Sequence, residues 1–275
     1  MTVQHSRPTV VCYHDPSPDT LRRHLAFLAS RYSFVPLREI VEWLYQPDHV
    51  LPPRALALTL DDGWAGNLRL APVFADFCIT PTVFVCTQVV GTRRRFWFQF
   101  LPDGDEKERL KRAPDDVRLA RLVSTGYSEF QAAEGDPVAL SAEQLEAIGL
   151  WADIQSHTRL HPILPMCDDA RVRSEIEGSR AELVDLLGGH DVYAIAYPNG
   201  DCSAREVGIA KAAGYRCAFT ISPHSIAPGD DPFMLPRVWI PDNAGQDELA
   251  VRLSGAHRSM RHLLRRLLLI PEHWT

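Results

Sequence analysis

The 275-residue chain has no apolar run of the roughly 18 residues that a membrane-spanning helix needs. Its opening, MTVQHSRPTVV, lacks a basic region followed by a long apolar stretch, so no export signal is expected and a cytoplasmic location is. Positive charge is not in surplus: 29 Lys and Arg stand against 35 Asp and Glu, a net charge of -6. A nucleic-acid binder would carry a basic excess, so that partner class is not expected. Paired cysteines are missing as well. None of Cys12, Cys78, Cys86, Cys167, Cys202 and Cys217 forms a CxxC pair, and several sit inside apolar runs such as Val-Val-Cys12-Tyr. Buried free thiols in a reducing compartment are the expectation. What is present is an ordinary balance, 45% hydrophobic and 23% charged, enough apolar material for one large core.

Short apolar runs alternate with helical patterns. Strands are expected at residues 9–13 (TVVCY), 55–60 (ALALTL), 82–87 (TVFVCT), 152–155, 192–197, 217–221 and 236–240. Helices are expected at 19–30, 37–45, 68–77, 141–149, 168–187 and 204–213. The fourth opens with Ser141-Ala-Glu-Gln144, a capping-box pattern, and the fifth closes on Gly188-Gly189. Strand–helix alternation implies a parallel sheet covered by helices. About seven repeats in 275 residues suit an irregular α/β barrel better than an open sheet, and such barrels carry their chemistry at the C-terminal ends of strands. The whole chain, 1–275, is expected to be one catalytic domain with two additions. Residues 93–140 break the rhythm with Arg93-Arg94-Arg95, a cluster of aromatics and the charged DGDEKERLKR, and read as an insertion packed over one end of the barrel. Residues 257–270 read as a basic amphipathic helix, with Arg258, Arg261, Arg265 and Arg266 among leucines. That helix either docks on the body or makes peripheral contact at the inner membrane surface.

Asp61 and Asp62 close the strand ALALTL and precede Gly63. Adjacent carboxylates repel unless a cation or base separates them, and on a strand they point to opposite sides, free to serve different roles. Alone, Asp-Asp-Gly also reads as a turn or helix start. His157 and His161 follow another strand in Ser-His-Thr-Arg-Leu-His-Pro. Four residues apart on a helical turn, two imidazoles can reach one metal; Pro162 leaves room for a non-helical turn instead, and surface or capping histidines are the bland alternative. Taken together, two imidazoles and one carboxylate form the open site of a hydrolytic zinc ion, with the second aspartate free as a base.

Asp61-Asp62-Gly63 with His157-Thr-Arg-Leu-His161 resembles the first two motifs of the polysaccharide deacetylases, carbohydrate esterase family four, also called the NodB-homology domain. The resemblance spans Val10 to about Pro241. It implies that Asp62, His157 and His161 bind one divalent ion, Zn²⁺ in the first place and Co²⁺ or Ni²⁺ as substitutes, and that Asp61 is the general base. Tyr197-Pro198-Asn199-Gly200 resembles the third motif, which implies that the Asn199 backbone N–H stabilises the oxyanion. The arginine of that motif is replaced by Ala196, and Arg237 in Leu-Pro-Arg-Val-Trp is the candidate to orient the base in its place. The family's C-terminal Leu-x-His is not evident. His14, ending the first strand, instead resembles the order of poly-N-acetylglucosamine deacetylases and is the candidate general acid, the alternative being a satisfied strand-end histidine.

The implied activity is removal of an N-acyl group, acetyl first, from an aminosugar or an oligo- or polysaccharide intermediate of surface glycan biosynthesis. Trp97, Tyr197 and Trp239 are the expected substrate contacts, Trp151 a further one, although such aromatics are as readily core or lid. The expected lack of export favours a lipid- or nucleotide-linked sugar. Two other readings stand beside this one. The same barrel serves deformylases and cyclic amide hydrolases, and Ala196 with the absent histidine would suit a barrel that only binds glycan.

Overall fold

The computed structural model describes residues 7–46, 48–132 and 134–254. The helix expected at 257–270 lies outside the described residues. The chain runs β1 (Thr9–Tyr13), α1 (Pro18–Ala29), β2 (Ser33–Phe34), α2 (Leu37–Tyr45), β3 (Ala55–Leu60), α3 (Ala71–Asp76) and β4 (Thr82–Val85). The segment expected to be an insertion follows, with a 3-10 turn at Trp97–Phe100 and two short helices, α4 (Asp105–Lys111) and α5 (Asp115–Val123). The pattern then resumes with α6 (Ala142–Gly149), β5 (Asp153–Ser156), α7 (Asp169–Leu186), β6 (Ala194–Ala196), α8 (Ala204–Ala212), β7 (Cys217–Phe219), β8 (Val238–Trp239) and α9 (Gln246–Leu253).

Seven strands lie side by side in the order β7-β6-β5-β4-β3-β1-β8, and β2 adds to the start of β3. Every pairing is parallel. Each strand in such a sheet is covered on both faces, which is why β1 and β3 are buried at every position and read as unbroken apolar runs. Alternate side chains still part company. Val11, Leu58 and Val83 pack with Leu21, Ile148, Ile176 and Ile209 of the outer helices. Val10, Ala57, Phe84, Ala196 and Phe219 form a second cluster with Ile40 and Val41 of α2, on the inner side of the curled sheet.

The two edges of this sheet are joined by one segment. Leu235 exchanges backbone hydrogen bonds with Ala218 and Thr220 beside β7. A few residues later, β8 pairs with β1 through Val11 and Cys12. Arg237 lies in this seam.

The expected elements recur with local differences. The helix anticipated at 68–77 is divided into a 3-10 stretch, Ala65–Leu70, and α3, because Pro72 fits only the first turn of an α-helix. The capping box at Ser141 is present in both directions: the hydroxyl accepts from Gln144 N at 3.2 Å and Gln144 Oε1 accepts from Ser141 N at 2.9 Å. Among the described residues no helix is long and apolar enough to cross a membrane.

Candidate active site

The C-terminal ends of β1, β3 and β5 open into a cavity of about 390 Å³. Its lining includes His14, Asp61, Asp62, His157, His161, Asn199, Trp97 and Trp239, so the structure gathers eight residues singled out from widely separated motifs. A volume of this size is within the usual range for a small-molecule site.

Asp61 sits at the junction of β3 and its loop, its N–H bonded to Tyr13 O at 2.9 Å. Asp61 is buried, and its carboxylate receives the Arg237 fork: Nη1 to Oδ1 at 2.6 Å and Nη2 to Oδ2 at 2.7 Å. The same guanidinium donates to Thr59 Oγ1 at 3.1 Å and lies over the rings of Phe84 and Phe219. The Cys12 thiol donates a weak third bond to Asp61 Oδ2 at 3.2 Å. A carboxylate has about four acceptor sites, so roughly one stays open. Burial by itself would raise the Asp61 carboxyl, but the charges of Arg237 and His157 and the guanidinium hydrogen bonds outweigh it and hold the group well below the usual carboxylate range.

Asp62 turns the other way, at φ 73°. Its Oδ2 accepts the indole N–H of Trp64 at 2.8 Å, while Oδ1 is buried with no hydrogen-bond partner among the described residues. Both imidazoles aim at that oxygen: His157 Nε2 is 3.5 Å away and His161 Nε2 3.4 Å. The distances are too long for hydrogen bonds of ordinary geometry. They match the spacing of two ligand atoms around a tetrahedral zinc with bonds of about 2.0–2.1 Å, which is about 3.3–3.4 Å. The three side chains offer ligand atoms within 4.8 Å of one another. His157 Nδ1 donates to Ala196 O at 2.8 Å, leaving the Nε2 lone pair for a metal. Burial, with smaller contributions from His157 and His14, pushes the His161 imidazole down to about 4, so it is neutral at physiological pH. An orphaned carboxylate oxygen facing two imidazole nitrogens fits one divalent ion.

His157 and His161 do not share a helical turn. Thr158 and His161 adopt left-handed backbone, φ 69° and 58°, and His161 N donates to Thr158 Oγ1 at 3.2 Å. The turn is stitched to the end of β4 by Thr87 N to Thr158 O (3.1 Å) and Gln88 N to Arg159 O (2.9 Å). Asn199 is likewise left-handed, φ 58°. With Asp62, these are four of the six non-glycine residues at positive φ among the described residues, a concentration typical of functional sites. Gly200, at φ 78°, is required beside it, since a Cβ there would lie 2.5 Å from Ile221 N.

Other expected contacts are distributed differently. Trp97 is 2% exposed and donates its indole N–H to His161 O at 2.9 Å. Trp239 is 40% exposed at the cavity rim. Tyr197 is not a cavity residue: it is fully buried, and its hydroxyl donates to Phe233 O at 3.3 Å. Its ring fills the core under α8 because the strand's alternation points it away from the loop that follows. Trp151 stacks on Phe74 and is also absent from the lining. His14 is fixed through its backbone, its N–H donating to Asp242 Oδ1 at 3.0 Å and its carbonyl accepting from Asn67 at 2.8 Å.

Four neighbours escaped the sequence. Trp64 holds Asp62, and its position two residues past the aspartate pair was the available signal. Phe98 packs edge-on against His161 at 5.2 Å. Lys107 and Lys111 of α4 bring the insertion to the cavity wall, paired with Asp103 at 2.7 Å and Glu108 at 2.8 Å.

A family model described as polysaccharide deacetylase matches residues 48–218, more than half of the chain. Among solved structures, the chain is similar to a Streptococcus pyogenes deacetylase, PplD, in complex with acetate, at 17% identity and a TM-score of 0.67, covering 91% of this chain and 99% of that one. It is similar to IcaB from Ammonifex degensii at 20% identity and a TM-score of 0.65, covering 92% and 97%. A de-N-acetylase from Aggregatibacter actinomycetemcomitans gives 14% and 0.63, covering 90% and 100%. At these identities the likeness is one of fold. No curated protein matches.

Proposed function

The chain belongs to the polysaccharide deacetylase family, and from that membership we propose that it is a metal-dependent hydrolase removing an N-acetyl group from an aminosugar within a glycan or glycan precursor of surface glycan biosynthesis. The observation that carries this reading is the bidentate Arg237–Asp61 pair standing beside the buried Asp62, His157 and His161 in one cavity. A barrel that merely bound glycan would have no use for a carboxylate held ionised beside three converging ligand atoms.

Asp62, His157 and His161 would hold the ion, with Zn²⁺ best suited to two imidazoles and a carboxylate and with Co²⁺ or Ni²⁺ able to replace it. When bound, the ion supplies Lewis acidity, polarising the acyl carbonyl and lowering the pKa of water. Asp61, oriented by Arg237, takes the proton from the attacking water through its free acceptor site. The backbone N–H of Asn199, a cavity residue with left-handed backbone, stabilises the oxyanion of the tetrahedral intermediate. His14 protonates the departing sugar nitrogen, so that water and the amide become acetate and a free amine. Trp239 at the rim supplies an apolar face for a pyranose, and the buried Trp97 backs the cavity wall.

The test is acetate and formate release from a panel of N-acylated aminosugars, free, polymeric, and lipid- or nucleotide-linked, with a metal-stripped control. Acetate release that stops on stripping and returns with Zn²⁺ or Co²⁺ is expected. Formate as the preferred product would move the acyl specificity. Turnover that survives stripping would remove the metal from the mechanism.

A further inference from the structure

Between His157 and His161 lie only Thr158, Arg159 and Leu160, and this short turn sets how the two imidazoles meet Asp62. Its backbone is held from behind, outside the cavity, by one buried carboxylate. Glu175, on α7, is 1% exposed. Its Oε2 accepts the N–H of Arg159 at 2.7 Å and of Leu160 at 2.9 Å. Its Oε1 faces Arg171 Nε at 3.2 Å. Arg171 in turn spreads its two terminal nitrogens onto both carboxylate oxygens of Glu129, Nη1 to Oε2 at 3.0 Å and Nη2 to Oε1. Glu129 belongs to the segment between β4 and α6, at a place the catalytic reading left unused. The other end of that segment reaches the same turn, through Trp97 Nε1 to His161 O at 2.9 Å.

A carboxylate is seldom buried this deeply unless its partners are fixed. Here burial raises the Glu175 carboxyl while Arg171 and the two backbone N–H groups oppose the rise. Those N–H groups flank a backbone with Thr158 and His161 in left-handed conformations, an arrangement that persists only where its surroundings over-determine it. Take away the acceptor, and two backbone donors, that of Leu160 buried, are orphaned in the one segment where relaxation would swing the imidazoles apart.

We propose that Glu175 is a positioning residue of the metal site, clamping the His157–His161 turn, and that Arg171 and Glu129 fasten this clamp to the 93–140 segment. The inference rests on the reading of Asp62, His157 and His161 as metal ligands. It assigns that segment a part in holding the metal-binding turn, through Glu129 and Trp97, in addition to its contribution to the cavity wall.

The test measures zinc affinity by chelator competition, the visible spectrum of the Co²⁺-loaded protein, and the melting temperature of the metal-free protein. Glu175→Leu is expected to weaken zinc binding about 10–100-fold, the usual effect of losing a group that orients a ligand, and to alter the Co²⁺ spectrum. Glu175→Gln retains an acceptor oxygen for both N–H groups and is expected to bind zinc within about threefold of wild type. Should Glu175→Leu fail to fold, Glu175→Asp carries the test: its shorter side chain stops short of the turn, and weakened binding with an altered spectrum is again expected. Unchanged affinity and spectrum in the Leu or Asp variant, with only a lower melting temperature, would reduce Glu175 to an ordinary stabilising contact and overturn the proposal. Wild-type protein that binds no zinc at all would instead sink the underlying metal assignment, a result separable from the first because it appears before any substitution.

Discussion

Replacing Arg237 by methionine removes a buried guanidinium and leaves its partner behind. Asp61 and Arg237 side chains are 4% and 0% exposed. Breaking a buried pair from one side costs about 3–5 kcal/mol, because the remaining charge has lost both its partner and its water. For a domain of this size that corresponds to a fall of roughly 6–20 °C in melting temperature, within the stability a folded domain has to lose. The pH dependence follows from the sign of the Asp61 shift. In the native protein burial raises the carboxyl, and the charges of Arg237 and His157 together with the guanidinium hydrogen bonds lower it further than burial raises it. The ionised group thus adds stability above the ordinary aspartate value near 3.9, and that stability is lost as pH falls through the lower, folded value. In Arg237→Met burial is opposed by the charges of His157 and His14 without the guanidinium, so the carboxyl moves upward. The folded variant then holds a proton where the unfolded chain does not, and it loses stability as pH rises. The same movement protonates the proposed base. The acid limb of kcat/KM should shift to higher pH, with a loss of about 10²–10⁴ at neutral pH. Thermal melts and pH–rate profiles of Arg237→Met, Asp61→Asn and the double variant decide the matter. Asp61→Asn in the Arg237→Met background should restore stability, since it removes the orphaned charge, without restoring activity. An unmoved acid limb, together with destabilisations that simply add, would refute the assignment of Arg237 to Asp61.

Asp61→Asn alone should bind zinc as wild type does and lose about 10²–10⁴ in turnover; chelator competition beside the acetate assay measures both, and retained activity would end its assignment as base. His14→Ala should lower kcat with metal content intact, and loss of metal or full activity would exclude it as the acid. Trp64→Phe keeps the ring contacts with Phe96 and Phe98 but deletes the 2.8 Å bond to Asp62; zinc affinity should fall about 10–100-fold, and an unchanged value would mean that Asp62 orients itself.

The sheet was largely legible because parallel strands buried on both faces are written as apolar runs, ALALTL being the plainest. β2 was not, since two half-buried residues carry no period. The convergence of Asp62, His157 and His161 was legible through motif spacing, but the turn presenting the histidines was not: the spacing suits a helix as well as the observed pair of left-handed residues, and only Pro162 hinted otherwise. Arg237 was suggested by what Ala196 lacks. Its partner could be measured only once the seam was in view, because nothing local links positions so far apart. Glu175 was invisible for the same reason, a glutamate on a helix looking like any solvated one until its carboxylate is found inside. Tyr197 misled because a motif fixes the backbone path of a loop and leaves open the side to which each ring turns.

The Asp61–Arg237 pair spans 176 residues of sequence, and this has a consequence for the protein during its own synthesis. At about 5–20 residues per second, roughly 10–35 s separate the emergence of the carboxylate from that of its guanidinium. Throughout that interval the inner side of the sheet lacks the segment that joins β7 to β1, and a buried Asp61 would be an unpaired charge. The nascent chain therefore has reason to leave the barrel open until the seam arrives. Pairing of the Asp61 carboxylate and closure of the fold become one late event, completed by the same arginine.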